Sequence, residues 1–401
     1  MRLSPLFFPI VLFGLSCNFI QVISWVSIPS ATSRVSADLR SESSTKLSAK
    51  ARAYDVSKVP TYDEIGCTDY ADAVSLIKEI DVKVAKSIAP SGITTITYIH
   101  WEANPKAKQK AALPIMLIHG FDSSCLEFRR LGPKLSAQGV DVYAVDVLGF
   151  GFTGLEGVVD FSAKAKVAAL EAFWKAVHEK ENDPDYQKGF AVCGASLGGA
   201  AAIELAASSR AQGYNPVKAL ILIDAQGFVD GVGPMASLPK PIAKLGVQVL
   251  KSVPLRNTAN QMSYFAKETF ATEDALKVGR LHTLRPGWDD AMCNYMASGG
   301  FSPSKKVTLC DMPSLVLWGR QDNILDGKEF GNKFVEELPN AELKWIEECG
   351  HVPHLEQSQM TAEIISDFLN SNKFEQYRER SDAFNLGEFV SSFQSSFGGK
   401  K

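Results

Sequence analysis

The sequence predicts an α/β fold in which a mostly parallel sheet carries helices on both of its faces. From residue 93 to residue 370, short apolar segments alternate with longer segments of helical periodicity, the pattern of strands joined by crossover helices. Several apolar segments are continuous, such as IMLI at residues 115–118, which is typical of strands buried on both faces. One irregular segment, residues 229–311, interrupts the alternation. It is too long for a loop, so we expect a helical cap inserted before the penultimate strand.

Strands and helices can be assigned in order along this pattern. Residues 93–100 alternate between apolar and polar side chains, as a half-buried strand does, and the other strands are apolar runs bounded by turn residues. The predicted strands are residues 93–100, 115–118, 140–147, 190–193, 219–224, 314–318 and 342–346, and the predicted helices are residues 126–138, 161–180, an alanine-rich segment after residue 196, 327–337 and 357–370.

Composition and charge restrict the functional class. The 401 residues include 42 Lys and Arg against 45 Asp and Glu, a formal net charge of −3. Residues 1–59 hold seven of the basic and three of the acidic residues, so the rest of the chain is acidic. Because nucleic-acid binding requires a basic face, we expect no nucleic-acid partner. The seven cysteines are scattered without a C-x-x-C pair, which predicts neither a zinc site nor a disulfide framework.

The first 59 residues have the composition of a targeting leader. Residues 6–28 are mostly Phe, Leu, Ile and Val, which suits a signal peptide and is also long enough for a membrane span. Residues 31–58 are rich in Ser, Ala, Lys and Arg and poor in acids, like a transit peptide. The combination resembles the bipartite leaders of algae with complex plastids; secretion, residence in the ER and a retained anchor are the alternatives. We expect a leader at 1–59, a core at 60–228 and 312–374, a cap at 229–311, and a tail at 375–401.

A G-x-S-x-G motif stands between a predicted strand and a predicted helix. The strand at residues 190–193 runs into GASLG, residues 194–198, and the alanine-rich helix follows. This context defines a nucleophile elbow. Glycines fit there because the tight turn leaves no room for larger side chains, and the following helix N-terminus favours negative charge at the serine. Ser196 is therefore the predicted nucleophile; the simpler interpretation is a glycine turn without chemistry.

A serine nucleophile needs a base, and only three histidines follow Ser196. In enzymes with this elbow the partners come in the order Ser, Asp or Glu, His, on loops after strands. His351 comes just after the predicted strand 342–346, preceded by a glycine that leaves room for the imidazole. His282 lies inside the cap with no strand before it, and His354, one helical turn later, is expected to pack locally. His351 is the predicted base.

Two aspartates are candidates for the acid that orients the base. Asp322 lies in the loop after the predicted strand 314–318, and Asp224 ends the predicted strand 219–224. Both positions belong to the carboxyl edge of a parallel sheet, where functional loops meet. Asp322 is the predicted triad acid. Asp224 remains the alternative acid, and its structural interpretation is a carboxylate that accepts backbone N–H groups at a strand end.

Two backbone N–H groups are candidates for the oxyanion hole, which stabilises the negative oxygen of the transition state. One belongs to Leu197, the residue after the nucleophile, and the other to Phe121, in the loop after the predicted strand 115–118. Asp122 and Ser123, next in that loop, are expected either to line the site or to cap the helix predicted at residue 126.

Five motifs, in this order and spacing, resemble the alpha/beta-hydrolase superfamily over residues 93–370. They are HGFDSS at 119–124, DVLGFGFTG at 146–154, GASLGG at 194–199, LWGRQD at 317–322 and CGHVPH at 349–354. The sequence is most similar to plant and algal chloroplast hydrolases of poorly defined substrate. The resemblance implies the fold of that superfamily, whereas it implies a substrate only loosely.

These features predict a serine hydrolase that forms an acyl-enzyme on a carboxylic ester with an apolar part, such as a lipid, pigment or prenyl ester. No cofactor and no metal is expected, and membrane contact is expected only through an uncleaved leader. The alternatives are other chemistry on the same triad (C–C bond hydrolysis, thioester hydrolysis or perhydrolysis) and a hydrolase-like receptor that binds a ligand without turnover. The candidate pocket residues are Asp122, His282, and Leu245 and Val249 on an apolar cap helix.

Overall fold

One mixed sheet forms the centre of the part of the chain that the computed structural model describes, residues 50–59, 64–178, 188–211 and 216–371. The strands in these residues are β1 Arg52–Ala53, β2 Ile77–Lys83, β3 Ile93–Trp101, β4 Ile115–Ile118, β5 Val142–Val145, β6 Phe190–Ala195, β7 Val217–Ile223, β8 Ser314–Gly319 and β9 Ala341–Ile346. They lie in the order β1-β2-β3-β5-β4-β6-β7-β8-β9. The pairs from β1 to β5 are antiparallel, and the pairs from β5 through β4 to β9 are parallel.

Helices connect the parallel strands and cover the sheet. Short 3-10 helices occur at Val56–Lys58, Cys125–Phe128, Gly233–Ser237, Leu281–Leu284 and Ser304–Leu309. The α-helices of the described residues are α1 Thr68–Ser75, α2 Leu131–Ala137, α3 Ala163–Val177, α4 Leu197–Ala211, α5 Lys240–Leu250, α6 Val253–Ser263, α7 Lys267–Phe270, α8 Glu273–Val278, α9 Trp288–Ala297, α10 Gly327–Glu337, α11 Pro353–Glu356 and α12 Ser358–Leu369.

A hydrophobic core lies on each face of the sheet. Successive side chains of a strand point to opposite faces, so Met116 and Val192 pack in one core while Leu117 and Cys193 pack in the other. Helices α3, α4 and α10 contribute to the first core, and α1, α2 and α12 contribute to the second. The continuous apolar runs of the sequence are therefore strands buried on both sides, and the predicted α/β fold class is confirmed.

The predicted helix at residues 126–138 is wrong in its extent. A 3-10 turn at Cys125–Phe128 precedes α2, which begins at Leu131. Pro133 explains the interruption, because proline lacks an N–H and disrupts a helix interior but fits the first turn. The break also lets Gly132 lie against Trp101, so closely that a Cβ on this glycine would be 2.3 Å from the indole ring.

Residues 52–59, which the sequence assigns to the predicted leader, pack against the folded core. β1 pairs with β2, and the Arg52 guanidinium donates to both carboxylate oxygens of Asp81 at 3.0 Å. Tyr54 and Val59 are buried in the core that contains α1. The folded part therefore reaches back to Arg52, before the predicted boundary at residue 59. Residues 1–49, which hold the rest of the predicted leader, and the predicted tail lie outside the described residues.

The chain leaves the sheet between β7 and β8 to form the cap, helices α5 to α9. This is the position at which the sequence predicts the insertion. In the cap, α5 packs against α9 and α6 against α8. No helix among the described residues has the length and apolar character to cross a bilayer; the apolar stretch at 6–28 lies outside them.

Candidate active site

Ser196 occupies a strained turn between β6 and α4. Its φ angle is 51°, in the left-handed region that L-residues other than glycine rarely adopt. Neighbouring backbone explains why glycines flank it: a Cβ on Gly194 would be 2.2 Å from the carbonyl oxygen of Gly198, and one on Gly198 would be 2.1 Å from that of Ile118. The backbone N–H of Ser196 donates to the carbonyl of Ile223 in β7 at 3.0 Å. The turn is therefore held by strands on both sides of β6.

His351 and Asp322 meet at the carboxyl edge of the sheet. His351 follows β9 and Asp322 follows β8, and 2.8 Å separates His351 Nδ1 from Asp322 Oδ2. The other oxygen of Asp322 accepts the backbone N–H groups of Ile324 and Leu325 at 2.7 and 3.1 Å. Burial favours the neutral acid, but the neighbouring His351 and these N–H donors hold the pKa of Asp322 below its usual value. An ionised Asp322 accepts the Nδ1 proton of His351, which leaves Nε2 free to act as a base.

The backbone of the loop after β4 lies directly beside the elbow. A Cβ on Gly120 would be 3.4 Å from Ser196 Cβ, so the next residue, Phe121, follows a close backbone contact with the serine. Within the described residues, the N–H groups of Phe121 and Leu197 donate to no protein acceptor. Leu197 is also the first residue of α4, where N–H groups have no partner inside the helix. Neither predicted oxyanion donor is therefore used by a hydrogen bond within the described part of the chain.

Glu127 stabilises the loop after β4, a role that no feature of the sequence predicts. Its carboxylate accepts the N–H of Gly120, at 3.2 and 3.3 Å. His354 Nε2 lies 3.0 Å from Glu127 Oε1, and the His354 ring packs against Phe128. Burial raises the pKa of Glu127, but His354, His119 and Ser123 together outweigh it, so the net pKa is lowered to about 2 and Glu127 is ionised at neutral pH. Only a contact between residues 227 positions apart reveals the pair, and no local motif signals it.

A cavity of about 390 Å³ opens above Ser196 and His351. The loop after β4 and the loops after β8 and β9 form its floor, and cap helices α6 and α8 form much of its wall. Most of the cap residues that line it are apolar, and they include Leu250, Leu255, Ala259, Met262, Leu276 and Val278.

Known proteins with similar sequence or structure identify the family. The sequence profile described as "Alpha/beta hydrolase family" matches residues 115–364. The chain is 34% identical over 261 residues to the alpha/beta hydrolase domain-containing protein VTE7 of Arabidopsis thaliana, covering 65% of this chain and 75% of VTE7. It is 26% identical over 266 residues to Lipase 1 of Psychrobacter immobilis, covering 64% of this chain and 77% of the lipase. The chain belongs to the alpha/beta hydrolase family. A solved structure of a thermophilic esterase from Thermogutta terrifontis has the same fold, with a TM-score of 0.56 at 19% identity over 73% of this chain and 97% of the esterase.

Three of the four predicted pocket residues of this alpha/beta hydrolase, Leu245, Val249 and His282, do not line the cavity. Leu245 and Val249 lie on the outer face of α5 and are 67% and 37% exposed. The apolar periodicity of α5 predicted a buried face, but periodicity alone does not specify whether that face points to the cavity or to solvent. The helix instead contributes Leu250, at its C-terminal end, to the cavity wall.

Asp122 lines the cavity, and it anchors the cap rather than capping the following helix. Its buried carboxylate contacts the guanidinium of Arg256, His282 Nε2 at 2.7 Å and Trp288 Nε1 at 2.8 Å. His282 is thus a buried ligand of Asp122, not a residue of the cavity wall. Burial opposes ionisation, but the charges and donors around it lower the pKa of Asp122 well below its usual value. Because Asp122 follows Phe121 directly, this contact couples the cap to the predicted oxyanion loop.

Asp224 lies beside the His351–Asp322 pair as a second buried carboxyl. One ligand atom each from Asp224, Asp322 and His351 lies within 4.8 Å of the others. Asp224 Oδ1 accepts the N–H of Gly319 at 3.0 Å, and no hydrogen bond among the described residues satisfies its Oδ2. Complete burial and the adjacent Asp322 charge raise the pKa of Asp224 well above its usual value. Two carboxylates this close do not both ionise, so Asp224 is the neutral member and Asp322 the ionised one.

This assignment predicts different consequences for the two amide substitutions. An amide resembles a neutral carboxyl, so Asp224→Asn should keep the hydrolytic kcat/KM within about tenfold of wild type, whereas Asp322→Asn should lower it by about 10³–10⁴. A loss for Asp224→Asn as large as that for Asp322→Asn would make Asp224 the triad acid.

The same assignment predicts a pH-dependent gain in stability. Because the pKa of Asp224 is raised in the folded protein, this carboxyl takes up a proton on folding. Its contribution to the free energy of unfolding is fully present below the unfolded pKa near 4, and it falls by up to about 1.4 kcal/mol per pH unit as the pH rises. The amide takes up no proton. The free energy of unfolding of Asp224→Asn relative to wild type should therefore increase between about pH 5 and pH 8, measured in urea. A difference that is constant or decreases with pH would contradict a neutral Asp224.

Proposed function

We propose that this alpha/beta hydrolase is a serine hydrolase that cleaves a carboxylic ester with an apolar part through an acyl-enzyme on Ser196. The observation that carries the proposal is the common cavity: Ser196 and His351 line the same apolar space, and Asp322 binds the far nitrogen of the histidine. A serine at the elbow, in place of an aspartate, argues against the chemistry of epoxide hydrolases and dehalogenases, which use a carboxylate there.

The reaction follows from the protonation states of these groups. His351 Nε2 takes the hydroxyl proton of Ser196 as the serine oxygen attacks the ester carbonyl, and the protonated imidazole is stabilised by Asp322. Collapse of the tetrahedral intermediate releases the alcohol, which takes the proton from His351, and the acyl group remains on Ser196. Water then attacks this acyl-enzyme with His351 again as the base, and the carboxylic acid leaves.

The N–H groups of Phe121 and Leu197 stabilise the oxyanion of both tetrahedral intermediates. Removal of one such donor typically costs about 3 kcal/mol of transition-state stabilisation. Asp122 and Glu127 act indirectly, because their contacts on either side of Phe121 hold the loop in position.

The size and lining of the cavity support an ester substrate with an apolar part. Its volume of about 390 Å³ is at the lower end of the range for small-molecule sites, so a long lipid, pigment or prenyl ester would place only part of its length inside. The apolar residues from α6 and α8 suit that part by excluding water from it. The similarity to Lipase 1 of Psychrobacter immobilis supports an ester substrate. Thioester, C–C bond or peroxide-dependent chemistry uses the same triad, and a substrate panel distinguishes these from ester hydrolysis.

A plastid location is part of the proposal, and we infer from the fold that the leader ends before β1. Since β1 begins at Arg52, a processing protease has to cleave before this residue to leave the sheet intact. N-terminal sequencing of the mature protein from its host should give a first residue at or before 52, and fluorescence microscopy of a full-length fusion should give plastid signal. An N-terminus after Arg52 would contradict this limit, and signal in the ER or the medium would contradict plastid import.

Steady-state kinetics with 4-nitrophenyl esters test the proposed mechanism. Ser196→Ala and His351→Ala should each lower kcat by about 10⁴–10⁶, and the double variant should lose no more than the worse single one, because the two groups act as a unit. Ser237→Ala changes an exposed serine outside the cavity; it is the matched control and should retain wild-type activity.

Wild-type turnover with esters and none with thioesters or peroxide would support the ester assignment. Tight binding of an ester, seen as thermal stabilisation, without turnover by the wild type would identify a receptor. Ester hydrolysis that survives in Ser196→Ala would contradict the nucleophile.

A further inference from the structure

Three arginines line the cavity above Ser196, and two of them have a carboxylate partner. Arg129 Nε lies 3.3 Å from a carboxylate oxygen of Asp69, and the Arg256 guanidinium contacts Asp122. Arg280, at the end of the turn that follows α8, forms no ion pair with any described residue. Arg280 is thus the cation of the cavity wall whose charge the described part of the protein leaves uncompensated.

The hydrogen bonds of Arg280 use little of its guanidinium. Nε and Nη2 both point to one acceptor, the carbonyl oxygen of Lys251, and each distance is 3.4 Å. These contacts place Arg280 at the C-terminal end of α5, where a cation is favourable, but an arginine has five N–H donors in a planar fork. The Nη1 donors and the outer side of the fork have no partner among the described residues.

A second cation, Arg256, lies next to Arg280 and adds to the positive charge of this part of the cavity wall. Arg256 Nε donates to the carbonyl of Leu250 at 2.8 Å, one residue before the carbonyl that Arg280 contacts. Burial and the charge of Arg256 both lower the pKa of Arg280. Asp122, the carboxylate that offsets Arg256, also contacts His282 and Trp288, and within the described residues it forms no ion pair with Arg280.

The acidic groups of the cavity do not compensate Arg280 either. Glu127 contacts His354 and the N–H of Gly120 on the opposite side, by the elbow. The cap as a whole is basic: residues 229–311 contain ten Lys and Arg against seven Asp and Glu, in a chain whose net charge is −3. An excess of positive charge on the cap favours the approach of anions to it.

We propose that Arg280 is a specificity residue that binds an anionic group of the substrate, a carboxylate or a phosphate. The inference rests on the proposed ester hydrolysis at Ser196 and narrows its substrate to an amphiphile. In this arrangement the ester carbonyl of the substrate lies at Ser196, and its apolar part contacts the side chains of α6 and α8. Its anionic group binds the guanidinium N–H groups of Arg280 that have no partner among the described residues. Arginine suits this role because two of its parallel N–H groups match two oxygens of either anion.

Paired 4-nitrophenyl esters on the full-length protein test the proposal. One series carries a terminal carboxylate on acyl chains of increasing length, a second carries a terminal phosphate, and a third ends in a neutral methyl ester of matched length. At the chain length that spans the two sites, wild-type kcat/KM should be about tenfold or more higher for one anionic series than for the neutral series. The series that shows the preference identifies the anion as carboxylate or phosphate.

Arg280→Gln should remove the preference for anionic esters, while kcat/KM for the neutral series stays within about twofold of wild type. For the anionic esters KM should rise and kcat should change little, because the arginine–anion contact is the same in the ground state and the transition state. Arg280→Lys keeps the charge without the fork and should retain part of the preference. Lys328→Gln, which removes an exposed charge on α10 outside the cavity, is the control and should behave as wild type. Raising the ionic strength should weaken the wild-type preference.

Two results would overturn the role of Arg280. In one, the wild type shows no preference for anionic esters at any chain length. In the other, Arg280→Gln lowers kcat/KM equally for anionic and neutral esters although its melting temperature is unchanged. Neither result affects the proposed hydrolysis, which the neutral series reports through its dependence on Ser196. Absence of turnover in all three series would instead contradict the proposed hydrolysis itself.

Discussion

The close packing of backbone around Ser196 is the constraint on which the rest of the site depends. The elbow brings Gly194 and Gly198 together so tightly that neither tolerates a Cβ, and Gly198 also touches the end of β4. Strand β4 is in turn the strand from which the predicted oxyanion loop leaves. One local constraint therefore sets the distance between the nucleophile and the N–H groups expected to stabilise its intermediate, and it holds Ser196 at a positive φ. Such strain is maintained only where the surrounding structure is rigid, and here two buried strands on either side of β6 supply that rigidity.

Asp122 connects the loop beside Ser196 to the cap. Its carboxylate gathers an arginine, a histidine and a tryptophan from three different cap segments, and it does so one residue after Phe121. Removal of a single partner from such a buried charged cluster typically costs several kcal/mol. The cap that forms the substrate cavity and the loop that is proposed to bind the oxyanion are thus parts of one electrostatic cluster, and a change in one is expected to move the other.

Most of the fold and part of the candidate site could be predicted from sequence because they depend on local signals. Apolar runs predict the buried parallel strands, and spaced glycines predict the elbow. His351 and Asp322 could be predicted because each follows a strand. Contacts between distant residues leave no such record: Asp122 meets His282 and Trp288 across 160 and 166 positions, and nothing near residue 122 indicates an anchor for the cap. The cap helix α5 has an apolar stripe in its sequence, but the stripe does not say which way it faces, and Leu245 and Val249 proved to be exposed. Strand β1 is only two residues long, too short for any periodic pattern.

The central claim is that Ser196 is the nucleophile and that His351 activates it. The most direct measurement is the mass of the intact full-length protein after reaction with a fluorophosphonate, followed by mapping of the modified peptide. The account predicts a single adduct on the peptide that contains Ser196, no adduct in Ser196→Ala, and much slower labelling in His351→Ala. Equal labelling of wild type and Ser196→Ala, or an adduct on any other residue, would contradict it.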